Sequence, residues 1–180
     1  ADRLHALVEQ PFERVVYLGS NALLGLAREA ALKLLELTDG KLVALADSPL
    51  GFRHGPKTIL NDRTLVVILL SNDSYTRQYD LDLLRELRRE GRARVLALRT
   101  AVPNGAEAPH ADDVQLDLPA TAPDLALAPV ALVFAQCLAL LASLQLGITP
   151  DNPSASGTVT RVVSGVTIHP LPPTHPSQQS

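Results

Sequence analysis

A histidine between two glycines, in Leu50-Gly51-Phe52-Arg53-His54-Gly55-Pro56-Lys57, follows a helical stretch that carries Glu29, Lys33 and Glu36. At about 100° per residue those three side chains share an arc of about 60°. Histidine changes charge near neutral pH, and a carboxylate beside an ammonium can be tuned to move protons on carbon. Both features also have plainer readings. A Glu–Lys pair four residues apart can be a solvated stripe that steadies the helix by about 0.3 kcal/mol. A lone histidine can be a surface or capping residue. Gly51 and Gly55 would let backbone approach a ligand closely, and Pro56 can open a helix.

Two polar loops add to this set. Ser71-Asn72-Asp73-Ser74, followed by Thr76, comes after an apolar run and opens a helix. Hydroxyls and free N–H groups at such a place suit an oxyanion, a phosphate among them. The same residues also make an ordinary N-cap, and Asp73 opposes a phosphate there. Gly19-Ser20-Asn21 carries the same pair of readings. It is neither a Walker loop nor a GxGxxG fingerprint, so nucleotide binding has no support. His5, His54, His110, His169 and His175 show no metal-ligand spacing, and Cys137 sits in an apolar stretch, so neither a metal nor another cofactor is expected. His169, before Pro170, reads as exposed tail, with folding back over the site as the alternative.

The elements that must position these residues alternate. Residues 2–10 read as a helix end or linker. Arg14 to Leu18 reads as a strand, Ala22 to Leu37 as a helix stopped by Asp39-Gly40, and Lys41 to Ala46 as a second strand. Asp47 to Lys57 reads as a loop. The wholly apolar Leu65–Leu70 suits a parallel strand covered on both faces. A helix over Tyr75–Glu90 ends at Gly91. Arg94–Leu98 and Val114–Leu118 complete five strands, and Pro129–Leu146 reads as an uncharged, buried helix. The alternation predicts an α/β three-layer sandwich, a doubly wound five-stranded parallel sheet. Ligands in such folds sit at the carboxyl ends of the strands, where the Ser20, His54 and Ser71 loops should converge. The domain is expected over 13–149, with a linker or helix end over 1–12. The Ser-, Thr- and Pro-rich tail over 150–180 is expected to be partly disordered.

The 180 residues can bury one sizeable core, with 46% hydrophobic but only 3% aromatic residues, so Leu, Val and Ala must fill it. A net charge of −3 argues against a nucleic-acid or membrane-surface partner. The single cysteine allows no internal disulfide and fits a reducing cytoplasm. No run approaches about 18 apolar residues, so no membrane-spanning helix is expected. With no methionine, the chain reads as a fragment of a longer protein or as one trimmed at its start.

At these residues the chain resembles the SIS (sugar isomerase) domain family. Within that family it is similar to the tagatose-6-phosphate ketose/aldose isomerases, also described as galactosamine-6-phosphate deaminase/isomerases. The resemblance is carried by Tyr17-Leu18-Gly19-Ser20, by Glu29-Ala30-Ala31-Leu32-Lys33-Leu34-Leu35-Glu36, by Asp47 through Lys57, by Tyr75-Thr76-Arg77-Gln78-Tyr79-Asp80, and by Asn152-Pro153-Ser154 through Ile168-His169-Pro170. The second and third segments are the specific ones.

The resemblance implies a parallel-sheet sandwich that acts on a sugar phosphate. Members of the group carry two such domains, and this chain resembles the second. The first would hold the main phosphate loop, which would leave this chain an inactive half by itself. The isomerase half of glucosamine-6-phosphate synthase shows a similar pattern. By that likeness Glu36 is the base that carries a proton between C1 and C2 through an enediol or enolamine, supported by Lys33 and Glu29. His54 would assist ring opening, reaching the site of a partner subunit. Glu29, Ser20, Asn21, Ser71, Ser74 and Thr76 would contact substrate. The synthase also uses a tail lysine, and Val162–Val166 contains none, which counts against amide-nitrogen transfer. A homodimer or a partner SIS domain is expected. The competing expectation is a sugar-phosphate sensor without turnover, although the sequence shows neither a DNA-binding helix pair nor a basic arm.

Overall fold

The structure, a computed structural model, describes residues 2–101, 109–154, 157 and 165–171. Five parallel strands form one sheet in the order β2-β1-β3-β4-β5. They are β1 (Arg14–Gly19), β2 (Val43–Asp47), β3 (Thr64–Leu69), β4 (Arg94–Arg99) and β5 (Val114–Gln115). The centre reads as expected of strands covered on both faces. Every residue of β3 is buried, and β1 pairs with it from Arg14 against Thr64 to Gly19 against Leu69.

Helices cover both faces. α1 (Asp2–Glu9), α2 (Ala22–Leu37) and α5 (Asp124–Gln145) pack one side around Tyr17, Leu34, Phe134 and Leu138. On the other side α3 (Pro49–His54), a 3-10 turn (Pro56–Ile59) and α4 (Ser74–Glu90) enclose Phe52, Ile68, Leu83 and Leu87. The chain turns outward in opposite directions from β1 and β3, so the crevice between their carboxyl ends is the topological switch point.

Local chemistry explains the boundaries. α4 starts where the Asp73 side chain accepts the Thr76 N–H at 2.8 Å, and it stops at Gly91, whose φ of 63° is left-handed. The Asp47–Lys57 segment is not the loop expected. Ser48 caps α3 by accepting the Gly51 N–H at 3.0 Å, and Pro49 supplies a pre-set first helical residue. Gly51 also fits closely into that cap: a Cβ there would lie 2.7 Å from Asp47 Oδ1 and 2.9 Å from Ser48 Oγ.

α5 begins at Asp124, with Pro129 inside it. Asp124 is anchored by accepting from Ser71 Oγ and the Asn72 N–H, both at 2.6 Å, so the helix starts before its proline. β5 is only Val114–Gln115, because beyond the Leu116 N–H bond to Arg99 O the chain turns, Leu118 N–H bonding Leu116 O. The first residues form a helix docked on α5, with Val8 buried. No uninterrupted apolar run of about 18 residues occurs in α5, but its 22 residues contain an 18-residue window with a mean hydropathy of 2.3, long and apolar enough to cross a membrane. Leu, Val and Ala outweigh its few polar positions. Leu127, Ala131, Leu138 and Ala142 nonetheless pack it into the core.

Candidate functional site

Glu29, Lys33 and Glu36 form one ion-paired group on α2. Lys33 Nζ donates to Glu36 Oε2 at 2.7 Å and lies 3.6 Å from Glu29 Oε1. All three are half-buried, and Leu32 and Leu35 stand exposed beside them at 45% and 37%. Leu23, Ala27, Ala30 and Leu34 bury the opposite face of the helix, which leaves the charged group facing outward. The hydrogen bond from Lys33 to Glu36 raises the lysine pKa, so the ammonium is held charged.

His54 does not join that group. It ends α3 on the other face of the sheet and is exposed. Glu36 sits in the last turn of α2, at the edge where the strands begin, because a 16-residue helix returns about 24 Å along them. His54 also stands apart from the Ser71 loop. Its neighbours Arg53 and Lys57 pair with Glu86, 12 residues and about 18 Å along α4 from Ser74.

Ser20 and Ser71 do converge at the switch point, but on carboxylates. Asp80, fully buried, accepts from Ser20 Oγ at 2.6 Å and from the Ser71 N–H at 3.0 Å. Asp124 takes Ser71 Oγ and the Asn72 N–H. Asn72 donates to Ala122 O and accepts from Thr100 Oγ1, each at 2.8 Å, and Arg77 donates to Ser71 O at 2.8 Å. Burial pushes the Asp80 pKa up. The Ser20 and Ser71 hydrogen bonds pull against this, and the nearby Asp124 charge adds to it.

An anion placed at this loop would meet Asp73, Asp80 and Asp124, and the Ser71, Asn72 and Thr76 N–H groups already have acceptors. Asn21 adopts φ 49°, a conformation asparagine tolerates better than most residues, and its amide donates to Thr76 Oγ1 at 3.4 Å. Ser74 is exposed at the first residue of α4. His169 is exposed, and His175 lies outside the described residues. Among the described residues no three His, Cys, Asp or Glu side chains gather around a metal-sized space.

Sequence reasoning missed Asp80 and Asp124 as members of this network. A signal existed for the first: Asp80 shares the buried helical face of Leu83, Leu84 and Leu87, where a carboxylate must find donors. For the second, Asp124 precedes its helical run as an N-terminal acid would.

The comparisons agree with this architecture. No family model matches the chain. It is 55% identical over 164 residues to the D-galactosamine-6-phosphate deaminase AgaS of Escherichia coli, covering 89% of this chain and 41% of that protein. The AgaS of a Shewanella strain is 44% identical over 164 residues, covering 91% and 39%. The crystal structure of tagatose-6-phosphate ketose/aldose isomerase from Escherichia coli superposes with a TM-score of 0.75 at 45% identity, over 94% of this chain and 46% of that one. The chain thus spans about two fifths of the length of the curated relatives it matches. The five-stranded parallel sheet and these relatives together support placing the chain with the SIS (sugar isomerase) domain family.

Proposed function

We propose that this chain supplies the proton-transferring carboxylate of a phosphosugar isomerase/deaminase acting on a hexose 6-phosphate or amino-hexose 6-phosphate of the galactosamine or tagatose type. The Glu29–Lys33–Glu36 group carries the reading. Glu36 takes the proton from C2 of the open-chain sugar, and the Lys33 ammonium stabilises the negative charge that develops on the enediol or enolamine. Returning the proton to C1 gives the ketose. With a 2-amino sugar it gives a C2 imine, and one water then hydrolyses the imine and releases ammonia. Glu29 holds Lys33 from the other side. His54 assists ring opening.

Because Glu36 and His54 lie on opposite faces of this sheet, one site uses both only when a second SIS domain or a second copy stands against this one. Exposed Leu32 and Leu35 beside the charged group, and Val43 at 56% on the edge strand β2, suit such a contact. The carboxylates that already occupy the Ser71 loop's donors favour a sugar phosphate held by that companion domain. The 180 residues alone are then inactive, and the working protein acts in the cytoplasm as a dimer or domain pair, without nucleic acid or membrane.

Glu36→Gln, in the protein at its full natural length, tests the reading. Ammonia and tagatose 6-phosphate formed from galactosamine 6-phosphate should fall about 10²–10⁴-fold while the fold is kept. Turnover at the unsubstituted rate would remove Glu36 from the mechanism.

A further inference from the structure

We propose that Glu86 on α4 is a positioning residue for His54. This inference rests on the reading of His54 as the ring-opening group. α3 has only six residues, too short to hold its own shape, so the orientation of its last residue depends on what tethers it. On one side the tether is apolar: Phe52, with no exposed surface, is packed among Leu83, Leu84 and Leu87. On the other it is ionic. Arg53 and Lys57 flank His54-Gly55-Pro56 in sequence, and both pair with the one Glu86 carboxylate, whose side chain is only 12% exposed. Lys57 also reaches Glu90 at 2.7 Å.

Among the described residues the His54 imidazole has no hydrogen-bond partner, so its direction follows from its backbone. That backbone is pinned on both flanks by a single carboxylate. An ordinary surface ion pair contributes little and positions nothing. Here one half-buried carboxylate receives two cations from either side of one turn, and the residue held between them is the one whose aim the chemistry depends on. Glu90 differs: it meets Lys57 alone, from a more exposed place.

The test compares Glu86→Gln, Glu86→Asp, Glu90→Gln and His54→Asn, with the double variant His54→Asn/Glu86→Gln, in the protein at its full natural length with galactosamine 6-phosphate. Circular dichroism at the assay temperature checks the fold. Glu86→Gln should lower kcat about tenfold with KM within about twofold, and Glu86→Asp should restore most of the loss. Glu90→Gln should stay within about twofold of the unsubstituted protein. In the His54→Asn background Glu86→Gln should cost nothing further, since a residue that acts through His54 has nothing left to position.

An unchanged kcat in Glu86→Gln while His54→Asn is impaired would overturn the positioning role and leave the isomerase reading standing. A further fall in the double variant would also overturn it, by showing a general structural effect. Full turnover by His54→Asn would end the assignment of His54 and the positioning role with it. If Glu86→Gln does not fold, Arg53→Gln/Lys57→Gln removes the same tethers from the α3 side and is judged by the same outcomes.

Discussion

Replacing Asp80 by leucine and by asparagine should have opposite consequences, because the carboxylate is needed for its acceptors and not for its charge. Asp80 is fully buried, accepting from Ser20 Oγ at 2.6 Å and the Ser71 N–H at 3.0 Å. Leucine keeps the branched outline of aspartate but strands both donors, at about 1–3 kcal/mol each. Its apolar burial returns about 1.5–2 kcal/mol. The expected net loss for Asp80→Leu is about 0–4.5 kcal/mol, or up to about 14 °C in Tm for a domain of this size. Asparagine can still accept from Ser71 N–H through Oδ1 and donate to Ser20 Oγ through Nδ2. It also removes a buried negative charge next to Asp124.

The pH dependence follows from the raised pKa of Asp80, caused first by burial. A carboxyl whose folded pKa lies above its unfolded value contributes stability that is complete below the unfolded pKa, about 3.9. That contribution is lost as pH rises through the folded value. Above the folded value the ionised Asp80 therefore costs stability that Asp80→Asn does not. Thermal and urea unfolding at pH 7 and near pH 4 should show Asp80→Asn at least as stable as the natural sequence at pH 7, and losing that relative advantage on acidification. If Asp80→Asn is as damaging at pH 7 as Asp80→Leu, the switch-point network needs the charge of Asp80 itself, and its acceptor oxygens alone do not explain why a carboxylate is buried there.

A second buried carboxylate should behave in the opposite way. Burial alone would raise the pKa of Asp113, but N–H groups of His110 and Ala97 together with the Arg88 guanidinium outweigh it and hold the pKa low. Its stability contribution is then present above the ordinary carboxylate range and lost as pH falls through the folded value. Asp113→Asn, which takes the charge from beside Arg88 and buried Arg99, should cost about 3–5 kcal/mol at pH 7 by urea unfolding, with the gap narrowing in acid. Two glycines separate crowding from backbone conformation. A Cβ on Gly19 would lie 2.5 Å from Leu23 O and 2.6 Å from Leu23 C, so Gly19→Ala must push α2 off β1 and should cost about 1–3 kcal/mol. Gly91 has open space around its Cβ position but a φ of 63°, so Gly91→Ala should cost about 1 kcal/mol from conformation alone. Equal unfolding midpoints for Gly19→Ala and the natural sequence would contradict the packing of α2 on the end of β1.

What the chain determined by itself was local. The all-apolar run in β3, the Asp73 and Gly91 limits of α4 and the grouping of Glu29, Lys33 and Glu36 depend only on the 2.0- and 3.6-residue periods of the backbone and on capping chemistry. The parallel sheet followed from the alternation of those elements. The tertiary structure decided the long-range pairings, because crossovers and sheet order bring together residues that no period connects. Asp124 meets Ser71 across 53 positions, and Lys57 meets Glu86 across 29. The early start of α5 and the helical form of the His54 segment follow from such partners and from a cap that only the folded chain completes. The same topology puts Glu36 and His54 on opposite faces of the sheet. Their closeness in sequence does not carry over into space, because α2 and α3 leave the sheet in opposite directions.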